Sequence, residues 1–93
     1  MQFAIYCLDK DGHTQTRLDN RPAHVDHLKA HNAELIVAGP LFSDDGSAMI
    51  GSLLVVEMPD RAAVDRFIAA DPYSKAGLFQ SVAVRPFRKV FPQ

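Results

Sequence analysis

The chain has few of the features that mark disulfide-rich or membrane-spanning proteins. Its 93 residues include one cysteine and no tryptophan. A single thiol cannot form an internal disulfide and fits a reducing compartment. No apolar run approaches the roughly 20 residues that a membrane helix needs, and no basic and apolar leader opens the sequence. We therefore expect a cytoplasmic protein without a membrane partner.

An excess of charge of one sign is also missing. The chain has 10 Lys and Arg residues against 11 Asp and Glu residues, so its net charge is −1 at neutral pH. A balanced chain offers no basic field for a phosphate backbone, and no nucleic-acid partner is expected. The hydrophobic fraction of 47% indicates one globular domain over residues 1–93. A chain this short buries a limited core, which favours pairing with a second copy.

The order of local patterns predicts the fold class. Apolar, β-rich runs alternate with helical patterns, and turn residues such as Asp11-Gly12 separate them. The central strand is expected to be the third, because its apolar character is nearly continuous. The predicted strands cover residues 2–8, 34–39, 50–58 and 80–90, the predicted helices cover about 21–32 and 60–70, and residues 9–20 and 71–77 are predicted loops.

This βαββαβ order is that of the ferredoxin-like split βαβ fold, an α+β class. Two helices would cover one face of a four-stranded antiparallel sheet, and the other face would stay apolar and exposed. Tyr6, Leu54 and Val84 are candidates for that open face. Since monomers rarely expose such a surface, we expect two copies to pair sheet to sheet as a homodimer.

One carboxylate lies where a helix does not favour it. Val64, Phe67 and Ile68 form an apolar stripe, and Asp71 extends it at i+7. Pro72 ends the helix there, so Asp71 would meet the negative end of the helix dipole. Such an Asp turns into solvent, caps a neighbouring loop or has a compensating partner, for which a histidine is the natural choice.

Three of the four histidines lie on the first predicted helix. His24 flanks the apolar face, whereas His27 and His31 point further round and are expected to be exposed. A predicted helix start near residue 21 puts His24 in the first turn, at the opposite end of the helix layer from Asp71. The two groups meet only if Asp71 lies on a loop that folds back, or if another subunit supplies the partner.

Two other kinds of chemistry have weaker support in the sequence. His27 and His31 have the i, i+4 spacing that zinc ligands use, with Asp26 or Glu34 as a conceivable third ligand, but no H-E-x-x-H motif is present. Cys7 lies within a predicted strand and is expected to be a buried, small apolar residue. We therefore predict neither a metal site nor a bound cofactor.

Several short motifs, in this order and spacing, resemble the YciI-like (YCII-related) family. They are Arg21-Pro22-Ala23-His24, Ala38-Gly39-Pro40, Asp71-Pro72-Tyr73 and the closing run from Val84 to Phe91. The resemblance extends over nearly the whole chain. It implies a ferredoxin-like domain that pairs into a dimeric α/β barrel, with His24 and Asp71 as the paired polar residues of an active site.

By analogy with a related dehydrochlorinase, the resemblance implies that His24 is a general base and that Asp71 orients it or acts as the acid. Arg21 and Tyr73 flank these positions and are candidates to contact an anionic or aromatic ligand. The alternative, which is slightly favoured, is that Arg21 forms a surface salt bridge and Tyr73 is a packing aromatic. The predicted function is cofactor-free proton transfer on a small polar or phenolic molecule, of the lyase, dehydrohalogenase or isomerase type. The alternative is a non-catalytic, ligand-binding or accessory dimer in which the His–Asp pair is structural.

Overall fold

The computed structural model describes all 93 residues as a four-stranded antiparallel sheet with three helices. The strand order is β2-β3-β1-β4, so each βαβ unit is split by a strand of the other, and the ferredoxin-like α+β prediction is confirmed. The elements are β1 (Gln2–Asp9), α1 (Thr14–Ala30), a short 3-10 turn (Asn32–Glu34), β2 (Leu35–Phe42), β3 (Met49–Glu57), α2 (Arg61–Ala70), α3 (Pro72–Lys75) and β4 (Phe79–Phe87).

The core lies between the helices and one face of the sheet. Ile5 on β1 pairs with Leu54 on β3 and with Val84 on β4, and all three are buried. Because side chains alternate between faces along a strand, neighbouring Tyr6 and Leu53 point to the opposite, open face and are exposed. The prediction for Tyr6 is therefore confirmed, whereas Leu54 and Val84 belong to the core.

The two outer strands of the sheet each contain a proline. Pro86 lies in the edge strand β4, where its missing N–H interrupts no pairing with a further strand. Strand β2 was expected to end at Gly39-Pro40 but continues to Phe42, because β2 is also an edge strand and can include Pro40. The central position predicted for β3 is confirmed.

Helix α1 is longer than predicted. It begins at Thr14, within the segment predicted to be a loop, and Pro22 lies in its interior. An interior proline removes one helical hydrogen bond and costs about 3 kcal/mol, so packing must support the helix. Its two buried residues, Arg17 and His24, are both polar. The hydrophobicity pattern therefore does not reveal which face of α1 points inward. None of the helices has the length and apolar character to cross a membrane.

The segment that follows α2 is helical, not a loop. Asp60 caps α2, accepting a hydrogen bond from the Ala63 amide. After α2 the chain turns at Asp71 and forms the four-residue helix α3. Gly77 ends this turn with a φ of +70°, a conformation that L side chains rarely adopt. The turn folds Asp71 and Tyr73 back toward α1.

Candidate active site

His24 and Asp71 form a buried pair. His24 Nδ1 lies 2.9 Å from both Oδ1 and Oδ2 of Asp71. The two residues are only 8% and 5% exposed, respectively. The pairing predicted from the sequence is thus present within one chain, and neither a second subunit nor a rearrangement is needed to form it.

The local structure around Asp71 explains why the pair can form. Asp71 lies just past α2 and is the N-cap of α3, where its Oδ1 accepts a hydrogen bond of 2.9 Å from the Tyr73 amide. His24 is in the middle of α1, not in its first turn. The helix-end positions inferred from the sequence were therefore wrong for His24, and Asp71 has a capping role that offsets its place at the end of α2.

The hydrogen bond to Asp71 determines which nitrogen of His24 is available. A carboxylate accepts, so Nδ1 of the neutral imidazole carries the proton and Nε2 carries a lone pair. Nε2 has no hydrogen-bond partner in the protein, and no fully buried side-chain nitrogen or oxygen lacks one. Nε2 is therefore the open, basic atom of the ring.

A pocket of about 200 Å³ lies beside His24, between α1 and the strands β2 and β3. The face of α1 that lines it has helical spacing, with Arg17, Arg21, His24 and Leu28 at i, i+4, i+7 and i+11. Residues of β2 and β3 and the Tyr73 side chain complete the lining. The pocket has room for a single small ring with a few substituents.

Tyr73 packs directly against the imidazole. Its ring is stacked on His24 with a centroid separation of 3.9 Å and an interplanar angle of 15°. The Arg17 Cζ lies 4.6 Å from the Tyr73 centroid, within the range of a cation–π contact. Burial raises the pKa of Tyr73, against the opposing effect of the nearby Arg17 and Arg21 charges. The Tyr73 hydroxyl is thus a proton-bearing group at neutral pH.

Arg17 is a site residue that the sequence analysis missed. It is 2% exposed and makes a bidentate pair with Asp9, with Nε–Oδ2 at 2.6 Å and Nη2–Oδ1 at 3.0 Å. Burial alone would lower the pKa of Arg17, but the hydrogen-bonded Asp9 carboxylate outweighs it and raises that pKa. The signal that could have revealed Arg17 is its i+7 spacing from His24, which only a longer α1 makes visible. Arg21, which was predicted, lines the same pocket and is exposed.

His27 and His31 lie outside the pocket. His27 Nε2 donates to the Phe67 carbonyl at 3.0 Å, and His31 Nδ1 lies 2.9 Å from Glu34 Oε1. Both rings pack on Phe67, at centroid separations of 4.9 and 5.0 Å, so they are half-buried and not exposed as expected. Burial lowers the pKa of His27. No three or more His, Cys, Asp or Glu side chains come together in a way that could hold a metal ion.

Cys7 is a buried residue of β1, as predicted. It is 2% exposed, and burial, with a smaller contribution from Asp71, raises its pKa to about 12. The side chain is therefore a neutral thiol at physiological pH and a poor nucleophile.

Comparison with known proteins places the chain among small bacterial proteins of one family. It matches the YCII-related domain over residues 1–88. Protein YciI from Escherichia coli is 38% identical over 98% of this chain and 100% of its own length, and an uncharacterized protein from Haemophilus influenzae is 33% identical over the same shares.

Among solved structures, one similar chain is 5-chloro-2-hydroxyhydroquinone dehydrochlorinase from Burkholderia phenoliruptrix AC1100, in complex with 2,5-dihydroxybenzoquinone. It superposes with a TM-score of 0.88 at 36% identity, over 95% of this chain and 94% of that one. An antibiotic biosynthesis monooxygenase, at 15% identity and a TM-score of 0.56 over 96% and 97% of the two chains, shares the fold alone. With a family match over nearly its whole length, this chain belongs to the YCII-related domain family.

Proposed function

We propose that this protein is an enzyme in which the His24–Asp71 pair moves protons on a small polar or phenolic molecule. The observation that carries the proposal is the geometry of His24. Its Nδ1 is held by Asp71 at 2.9 Å, while its Nε2 has no protein partner and the ring borders a pocket. A fixed tautomer with a free, basic nitrogen next to a pocket is what a general base requires.

The chemistry that this arrangement supports is proton abstraction followed by proton return. His24 Nε2 would accept the proton of a substrate hydroxyl, and the Asp71 carboxylate would stabilise the imidazolium that forms. The imidazolium would then return that proton to a substrate carbon, which completes an isomerisation. In a dehydrohalogenation, the halide would leave from that carbon with the bonding electron pair while a second hydroxyl loses its proton.

The substrate class follows from the pocket and from one relative. The pocket of about 200 Å³ suits one substituted ring, and Arg21 and Tyr73 on its wall would contact an anionic or aromatic ligand. The dehydrochlorinase to which the chain is 36% identical acts on a chlorinated hydroxyhydroquinone. A hydroxylated aromatic, chlorinated or not, is therefore the substrate class that we propose.

The direct test is turnover of a chlorinated hydroxyhydroquinone with detection of released chloride. Wild-type protein should release chloride, and His24→Gln should lose at least a hundredfold in rate, because general bases typically contribute that much. His31→Gln is the matched control, since His31 also pairs with a carboxylate but lies outside the pocket. Equal rates in all three proteins would refute the proposed role of His24.

The alternative function is a non-catalytic ligand-binding or accessory domain in which His24 and Asp71 form a structural pair. It is favoured by the near-complete burial of both residues. In that case His24→Gln would lower the free energy of unfolding and would change no turnover. Chloride release by wild-type protein that His24→Gln abolishes, with folding intact, would exclude this alternative.

We further propose that the open sheet face pairs two copies into a homodimer. Tyr6 and Leu53 are directly paired across β1 and β3 on this face and are 47% and 40% exposed, and Val37 on β2 adds a third apolar side chain. Leu53→Lys should convert a dimer to a monomer in sedimentation experiments. Leu18→Lys, at a similarly exposed apolar position on α1, should leave the dimer intact.

A further inference from the structure

We propose that the pocket binds its substrate as an oxyanion, held by Arg17 Nη1 and the Ser52 hydroxyl next to His24. The inference deepens the proposed function and rests on the pocket being the substrate site. It adds two residues to those that flank the His–Asp pair, and it specifies the ionisation state in which a hydroxylated aromatic is held.

Arg17 uses most of its N–H donors within the protein. Nε donates to Asp9, and Nη2 donates to Asp9 and to Ser52 Oγ at 3.0 Å. Nη1 donates to neither Asp9 nor Ser52, although Arg17 is only 2% exposed, and the Tyr73 hydroxyl also interacts with the guanidinium. Arg17 lines the pocket. Its remaining N–H groups are therefore available to a ligand there, on a guanidinium that Asp9 holds rigidly in place.

The Ser52 hydroxyl accepts a hydrogen bond within the protein but donates none. Ser52 is 4% exposed, and its Oγ accepts a hydrogen bond from Arg17 Nη2. Its own hydroxyl proton is donated to no protein atom, and the residue lines the same pocket. A hydroxyl that accepts from a guanidinium is polarised toward donation. Ser52 and Arg17 thus form two linked donors on one wall.

Two arginines and two carboxylates lie at or next to the pocket. The nearby carboxylates are already engaged, Asp9 by Arg17 and Asp71 by His24. Arg21 lines the pocket and forms no ion pair or hydrogen bond. With His24 neutral, the charges of Arg17, Arg21, Asp9 and Asp71 balance, so the pocket offers an oxyanion several hydrogen-bond donors and the unpaired Arg21 guanidinium without a net positive charge. Its single basic atom is His24 Nε2. An ionised hydroxyl satisfies the donors, and a second, protonated hydroxyl satisfies His24.

The test uses 4-nitrophenol, whose visible absorbance separates the phenol from the phenolate. Wild-type protein should bind it saturably and raise the phenolate fraction above that in buffer at the same pH. Ser52→Ala and Arg17→Lys should each weaken binding about tenfold, since each removes a hydrogen bond to a charged group. Ser81→Ala, an exposed serine on β4, is the matched control and should bind as wild type does. Should Arg17→Lys fail to fold, the Ser52→Ala and Ser81→Ala pair still gives the answer.

The chloride-release assay separates this inference from the proposed reaction. Unchanged phenolate binding in Ser52→Ala and Arg17→Lys, or no rise in phenolate with wild type, would each overturn the inference. Phenolate binding without chloride release from a chlorinated hydroxyhydroquinone would refute the enzyme and leave the anion site in place.

Discussion

The site contains two buried acid–base pairs that look alike and differ in one respect. Arg17 and His24 are seven residues apart on α1, and each is bound to a carboxylate outside that helix. The Arg17–Asp9 pair is permanently charged, because a guanidinium does not lose its proton in a protein. The His24–Asp71 pair contains an imidazole, a group that can both accept and donate a proton.

Under the proposed function, this difference gives the two pairs separate tasks at the two ends of one pocket. A fixed ion pair cannot take part in proton transfer, but it can hold a guanidinium rigidly beside a ligand. An imidazole with one nitrogen bound and the other open can exchange a proton with that ligand. The Tyr73 ring links the two pairs, since it stacks on His24 and has the Arg17 guanidinium within 4.6 Å.

The largest predicted effect comes from breaking the fixed pair. Arg17→Met should lower the free energy of unfolding by about 3–5 kcal/mol, because it leaves the Asp9 carboxylate buried without a counter-charge. The double variant with Asp9→Leu should recover more than half of that loss, since an apolar pair of similar volume replaces an ion pair at little cost. Urea denaturation followed by circular dichroism measures both.

The recovery in the double variant is the informative result. If Arg17→Met and the double variant are equally unstable, the Arg17 side chain stabilises through packing and its contact with Tyr73. The fixed-charge role given to Arg17–Asp9 would then be wrong.

The same comparison explains how far the sequence can predict this molecule. Strands β1 and β3 and helix α2 carry apolar patterns that reflect their buried faces, and their predicted positions agree with the structure. Helix α1 presents Arg17 and His24 to the interior, so its inward face has no apolar signature, and its start was predicted near residue 21 instead of Thr14. Hydrophobic periodicity cannot reveal a helix face that is buried but polar.

The site itself was only half predictable. Asp71 stood out because it continues an apolar stripe, and the motif resemblance identified His24, Arg21 and Tyr73. The capping role of Asp71 depends on α3, whose four residues are too few for a periodic pattern. Arg17 is positioned by contacts with Asp9 and Ser52, and the latter is 35 positions away in the chain. A contact between residues so far apart in the chain leaves no pattern in the local sequence.

Removing the acid of the second pair should have an intermediate effect. Asp71→Ala removes both the partner of His24 and the cap of α3, for an expected loss of about 2–3 kcal/mol in unfolding free energy. Asp71→Asn keeps an oxygen that can cap α3 and should cost about half as much. Histidine ¹⁵N chemical shifts provide the second measurement, because neutral His24 should carry its proton on Nδ1 in the wild type and lose this preference in Asp71→Ala. A mixed tautomer in the wild type would contradict the assigned hydrogen bond.

Cys7 reports on both pairs, because Asp71 and Asp9 raise its pKa and Arg17 lowers it, in addition to the larger effect of burial. Its folded pKa of about 12 exceeds the ordinary value of 9.0. The unfolded chain therefore loses this proton first as the pH rises, and stability present below pH 9.0 is lost toward pH 12. At pH 10 the loss should be about 1.4 kcal/mol relative to Cys7→Ala, measured by urea denaturation. Thiolate absorbance of the folded protein provides a second measurement. If it shows that Cys7 ionises with its ordinary pKa, water reaches the interior around Cys7 and the prediction is wrong.

The smallest predicted effect concerns a second His–carboxylate pair, which differs from His24–Asp71 mainly in how deeply it is buried. His31 and Glu34 repeat the geometry of His24 and Asp71, with a closest Nδ1–oxygen distance of 2.9 Å in both pairs. The side chains of the first pair are 34% and 42% exposed, against 10% and 7% in the second. Water and salt screen the exposed pair, so Glu34→Gln should cost at most about 0.5 kcal/mol in unfolding free energy, well below the cost of Asp71→Asn. Equal costs for Glu34→Gln and Asp71→Asn would mean that contact distance, and not burial, determines the strength of these pairs.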